Sequence, residues 1–295
     1  MRSLAPLLLL AVLTLPFASA ALVVDAPPVP KSGDYQVLHG TVEIPGTGSG
    51  TIDTTTTYAG TESVTVGGHA YDAVKAASHT VSNFTGSAGG QPISQSATSD
   101  TTAWTRVDDF ASLKSVSTSR GQTTTTEYNP PCATFQYPMS VGKTWTVDCT
   151  ITTTSPSGQQ QTKTTHGVYT VAREEKITVA AGTFDALVIE ATTNNVTLNS
   201  WYAPDACGFV KAESPNPQGG STVTLELQGY KCNGASGGAS GSTPAGTTPS
   251  GSTPASGTSG GATTPASSTP AKAPGFGFGL LVIGAVIVAI ALRRR

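Results

Sequence analysis

The apolar residues of this chain recur with a period of two rather than three and a half. Trp145-Thr146-Val147-Asp148-Cys149-Thr150-Ile151, Val168-Tyr169-Thr170-Val171 and Val223-Thr224-Leu225-Glu226-Leu227 alternate residue by residue. That period places one set of side chains on a buried face and the other toward solvent, as in a half-buried strand. Threonine-rich stretches at 51–58 and 161–165 add β-branched residues that favour extended backbone. Clusters such as Pro45-Gly46-Thr47-Gly48 and Pro215-Asn216-Pro217-Gln218-Gly219-Gly220 punctuate the runs as turns. No segment here reads convincingly as a helix. Residues 73–78 come nearest, but their counterpart in the second half reads as a strand.

The two ends have other compositions. Residues 1–20, MRSLAPLLLLAVLTLPFASA, carry one cation, a leucine-rich run and Ala18-Ser19-Ala20, which reads as a signal peptide cut before Ala21 by signal peptidase. Residues 233–273 are almost entirely Gly, Ser, Thr, Ala and Pro, with no core-forming side chain, and read as an extended stalk. The final segment, 274–295, holds the uncharged run 276–292 followed by Arg293, Arg294 and Arg295. Seventeen residues as a helix span about 25 Å, marginal for a bilayer core, and the arginines would stay on the cytoplasmic side.

Pro274-Gly275-Phe276, the apolar run and the arginine tail together resemble the C-terminal sorting signal of archaeal surface proteins. The resemblance implies an archaeosortase-like partner that removes the helix and joins the new terminus to a membrane lipid. It also implies display on the cell surface, at a surface layer or envelope.

Between signal peptide and stalk, residues 21–232 hold all eighteen acids against eleven Lys+Arg, a net of −7 that the whole-chain value of −2 conceals. So few cations cannot build a basic face, and a nucleic-acid partner is excluded. This domain also repeats itself. The stretch from Val64 to Val74 matches that from Ile177 to Leu187 at an offset of 113, and Trp104 precedes Lys114 by ten residues as Trp201 precedes Lys211. The expected architecture is therefore all-β: two β-rich repeats, 21–128 and 129–232, in curved antiparallel sheets, with one continuous half-barrel-like sheet as a possible form. In the second repeat, Tyr137-Pro138-Met139-Ser140-Val141-Gly142-Lys143-Thr144-Trp145, then Val179 to Ala186, then Trp201 to Lys211 occur in an order that resembles secreted domains of the TapB/DUF3108-like kind. That resemblance implies a curved antiparallel sheet like that of periplasmic lipoprotein carriers and brings no catalytic residues.

Cys132, Cys149, Cys207 and Cys232 in an exported domain imply two disulfides, with three possible pairings. Spacing prefers Cys132 with Cys149, around a hairpin expected at 138–143. Cys207 with Cys232 would flank a hairpin around 215–220, with the bridge just beyond its ladder. Asn83 and Asn195 open N-x-Thr sequons.

Motifs of catalysis are missing. No HExxH, CxxC or P-loop occurs, and the GxSxG strings lie in the stalk, which lacks the strand and helix that a nucleophile elbow needs. His39, His69, His79 and His166 are scattered without ligand spacing, so no metal and no cofactor is expected. Asp108-Asp109 reads as paired surface charge and Glu174-Glu175 as a solvated turn. Trp104, Trp145 and Trp201 are the candidate ligand-stacking residues, against the alternative that all three are core. The expected function is a non-enzymatic surface protein with a structural or ligand-binding β domain, or else a lipid or glycan carrier, with an extracellular hydrolase as the more distant alternative.

Overall fold

The computed structural model describes residues 21–88, 90–193, 196–215 and 222–238. Thirteen antiparallel strands follow one another as successive neighbours in a single sheet. They are β1 (Tyr35–Ile44), β2 (Gly48–Val66), β3 (His69–Ala88), β4 (Gln91–Arg106), β5 (Ser112–Ser119), β6 (Gln122–Cys132), β7 (Thr144–Thr154), β8 (Gln160–Val179), β9 (Gly182–Thr193), β10 (Val196–Ala203), β11 (Gly208–Pro215), β12 (Thr222–Cys232) and β13 (Ala235–Gly238). A single 3₁₀ turn, Pro204–Ala206, interrupts the described strands.

β1 pairs with β2 on one side and with β12 on the other, from Tyr35 opposite Lys231 to Glu43 opposite Thr222. The sheet is therefore closed, and the fold is a twelve-stranded up-and-down barrel. This corrects the expected curved sheets, the half-barrel-like form among them, and with them the architecture implied by the TapB/DUF3108-like resemblance. The cause is long-range pairing of the first and last full strands, which removes both edges of the sheet. β13 adds to the end of β12 and carries the sheet to Gly238, past the expected start of the stalk. Among the described residues no helix is long and apolar enough to cross a membrane. The signal peptide, the C-terminal span, Pro274, Gly275 and Phe276 lie outside the described residues, as does Asn195.

The two halves of the barrel, β1–β6 and β7–β12, share their irregularities. Ala59 is an extra residue on β2 and Ala172 an extra residue on β8, an offset of 113. Leu113 bulges from β5 opposite Trp104, and Val210 from β11 opposite Trp201, an offset of 97. A bulge sharpens the local twist and bends its strand. Here the bends bring each hairpin tip onto its neighbours. Val64, Val66, Tyr71, Ala73, Trp104 and Leu113 cluster in the first half. Ile177, Val179, Phe184, Ala186, Trp201 and Val210 occupy the matching places in a larger cluster in the second. Lys114 meets Glu127 across β5–β6 at 3.0 Å, and Lys211 faces Glu226 across β11–β12 at 3.7 Å.

Cys132 is bonded to Cys149, and Cys207 to Cys232. The first bridge joins β6 to β7, and so ties one half of the barrel to the other. The connection between those strands, 133–143, is a long crossing rather than the tight hairpin expected at 138–143. The second bridge lies beyond the last β11–β12 pair, Lys211 opposite Glu226.

Candidate functional site

A barrel of about eight strands is filled by its own side chains, and one of sixteen or more leaves a channel. Twelve strands lie between these limits, so side-chain size decides whether the lumen is full. Many inward positions here are small: Thr54 and Thr56 on β2, Ala76 and Ser78 on β3, Ala191 on β9, Ala212 on β11. They leave a cavity of about 150 Å³ inside the barrel. Close-packed interiors hold few voids larger than a water molecule.

The wall of this cavity has two characters. From β9, β10 and β12 come Ile189, Ala191, Leu198 and Leu225, an aliphatic surface continuous with buried Val42, Ile52 and Val223. From β2 and β3 come hydroxyls, but these satisfy one another. Thr54 Oγ1 lies 3.1 Å from Thr80 Oγ1, and Thr56 Oγ1 lies 2.8 Å from Ser78 Oγ. Their hydrogen-bonding capacity is turned along the wall, and a buried hydroxyl so paired presents little cost to an apolar occupant.

Aromatic side chains border the cavity toward the 133–143 crossing. Phe135 packs 5.2 Å from Tyr202 and 5.4 Å from Phe209, centroid to centroid. The Tyr202 hydroxyl pairs with that of Tyr137 at 3.0 Å. Gln36 donates from Nε2 to the Ala206 carbonyl at 2.7 Å and accepts from the Tyr58 hydroxyl at 3.4 Å. Burial, and then the charge of Asp34, raises the Tyr58 pKa, while burial followed by the neighbouring Tyr137 raises that of Tyr202. Both phenols stay neutral. Lys211 is the one charged residue of the lining, and its ammonium is held by Glu213 at 2.6 Å as well as by Glu226. The cavity is thus largely apolar, and its one charged side chain is ion-paired.

The three tryptophans do not line it. Trp145 is buried and stacked on Tyr169, with centroids 5.6 Å apart and planes at 12°. Trp201 is buried in the second-half hairpin cluster with the Lys211 ammonium 5.1 Å above its ring. Trp104 donates to Glu62 at 2.6 Å and lies beneath Lys75. Each is a packing residue. The residues that sequence reasoning missed are the small inward ones, such as Ala76 and Ala191, whose only signal was their place in the alternation.

Other candidates resolve simply. Asp109 makes a two-pronged ion pair with Arg106 and accepts the Ala111 amide, so its carboxylate is already occupied. Glu174 and Glu175 lie within β8 rather than in a turn. Glu174 accepts the Leu22 amide, and Glu175 pairs with Arg173. His39, His79 and His166 each sit directly opposite an aspartate across a ladder, with Nδ1 2.7 Å from Asp53, Asp100 and Asp148 respectively. Among the described residues no three His, Cys, Asp or Glu side chains are grouped to hold a metal. Asn83 is exposed on β3.

No protein-family model matches the chain. No curated protein matches it either. Two solved structures are similar. One is a protein assigned as a lipoprotein from Parabacteroides distasonis, 12% identical, covering 70% of this chain and 99% of its own, with a TM-score of 0.33. The other is a DUF1329 family protein from Desulfovibrio piger, 8% identical, covering 69% of this chain and 86% of its own, with a TM-score of 0.21. Scores this low carry no argument about function. No family model is matched, so the resemblances to an archaeal sorting-signal family and to TapB/DUF3108-like domains are corrected: neither is upheld.

Proposed function

We propose that this chain is a non-catalytic, exported binding protein whose barrel lumen holds a small, uncharged, mostly apolar group. One observation carries the reading: a cavity of about 150 Å³ bounded by Ile189, Leu198, Leu225 and self-paired hydroxyls. An apolar cavity of this size in another protein admits benzene. The occupant is therefore about one aromatic ring or a short stretch of acyl or isoprenoid chain. A free sugar is disfavoured, because the Thr54, Thr56 and Ser78 hydroxyls already have partners.

Two disulfides and a net charge of −7 across residues 21–232 suit a soluble domain on the oxidising side of a membrane, delivered there through signal peptidase. Association with the cell envelope follows from the same reading. The test is native mass spectrometry of the delipidated protein after exposure to host lipid extract and, separately, to a glycan pool. Retention of one apolar molecule per chain supports the proposal. A chain that stays empty in both is a structural display domain instead, and retention from the glycan pool alone would reverse the ligand class.

A further inference from the structure

We infer that ligand reaches the lumen sideways, through the seam between β6 and β7. The inference rests on the lumen being the binding site. The two junctions between the halves of the barrel are built very differently. At β12–β1 the ladder runs through nine pairs. At β6–β7 it has four, Thr125 opposite Thr154 to Tyr128 opposite Ile151, the shortest of the twelve ladders that close the barrel among the described residues.

Beyond Tyr128 the two strands part. β6 stays with β5, bringing Ser112 opposite Cys132. β7 goes on pairing with β8 as far as Thr144 opposite Thr170, so residues 144–150 are laddered on one side only. A strand without a ladder partner has no main-chain bonds to break when the gap beside it widens. The Cys132–Cys149 bridge spans this stretch, with a Cα separation of 5.4 Å.

A second, smaller cavity lies at this bridge. It measures about 20 Å³ and is bounded by Cys132, Cys149, Val147, Thr165 and Thr193, among others. Thr134 and Tyr169 line both this chamber and the lumen, so the two spaces are separated by those side chains. Tyr169 is backed by the stacked ring of Trp145, and Thr134 lies on the 133–143 crossing. Thr165 Oγ1 is buried in the chamber without a protein partner, which fits a passage that admits water ahead of a ligand. The path is therefore seam, chamber, a door of Thr134 and Tyr169, then lumen, with the disulfide limiting how far the seam opens.

The test is ¹⁹F exchange spectroscopy on the full chain with 4-fluorotoluene as probe. Thr165→Leu fills the chamber and leaves the lumen wall intact. It should slow both association and dissociation about tenfold while Kd stays within about threefold. Cys132→Ala with Cys149→Ala loosens the seam and should speed exchange about tenfold at similar Kd. Leu113→Ala, which weakens the first-half hairpin cluster, is the control for general loosening and should leave the rates unchanged. Exchange within twofold of the parent in Thr165→Leu overturns the inference, as does equal acceleration by Leu113→Ala. If the cysteine pair does not fold, Thr165→Leu decides alone. Failure of the unaltered protein to bind the probe would instead remove the lumen reading, and the seam with it.

Discussion

Ala191 lies on the lumen wall between Tyr169 of β8 and Leu198 of β10, and enlarging it tests whether the space it faces is empty. In a filled core, adding methylenes costs about 1–3 kcal/mol through off-rotamer side chains and backbone shifts. Here the added atoms have about 150 Å³ to enter. Ala191→Leu adds three carbons, and at roughly 0.8 kcal/mol for each buried methylene the gain is about 2.4 kcal/mol. Fixing the new side chain takes back about 0.5–1 kcal/mol, leaving a net stabilisation of about 1.5 kcal/mol. Urea unfolding would report this as a higher midpoint at unchanged m. The same substitution should abolish 4-fluorotoluene binding. A variant destabilised by about 1 kcal/mol or more that still binds the probe would refute the reasoning, since the lumen would then be full and the site elsewhere.

Other consequences follow from the same structure. Burial pushes the Tyr128 and Tyr137 pKa values up to about 12. The folded state therefore holds these protons where the unfolded chain, titrating near 10, releases them. Stability is full below about pH 10 and declines toward pH 12, by roughly 2–3 kcal/mol for each tyrosine. Ultraviolet titration should show these phenols ionising only with unfolding, and ionisation of every tyrosine near pH 10 in the folded protein would contradict the placement. Leu113→Ala removes a fully buried bulge residue and should cost about 2–5 kcal/mol in urea unfolding, a surface-like loss under 0.5 kcal/mol being the contrary result. Replacing Cys207 and Cys232 by alanine opens a loop of sequence separation 25 and should cost about 3.5 kcal/mol in the chain-entropy treatment, measured in the same way.

Much of this fold was legible residue by residue. The alternation in Trp145 to Ile151 places Trp145, Val147, Cys149 and Ile151 on one buried face, and they are the buried residues of β7. The 113 and 97 offsets coincide with bulges at Ala59 and Ala172 and at Leu113 and Val210, because a bulge is set by local sequence. Barrel closure was not legible. A period of two says which face a residue takes and nothing about which strand lies beside it, so pairing of β1 with β12 leaves no local trace. The lumen was hidden for a related reason. Large aromatics drew attention to Trp104, Trp145 and Trp201, whereas the space is made by small residues, and small residues in a threonine-rich chain are unremarkable. β13 was hidden too, since Ala235-Ser236-Gly237-Gly238 has the same Gly/Ser/Thr/Ala/Pro-rich composition as the sequence that follows it. Gly237 has its place there because a Cβ would meet the Ala181 carbonyl oxygen at 2.3 Å.

The most direct test of the central claim is a set of intermolecular NOEs between bound 4-fluorotoluene and methyl-labelled protein. Contacts to Ile189, Leu198 and Leu225 together, the aliphatic part of the lumen wall on β9, β10 and β12, are the predicted result. Contacts confined to the exposed methyls of Val141 and Val168, or none at saturating probe, would contradict it.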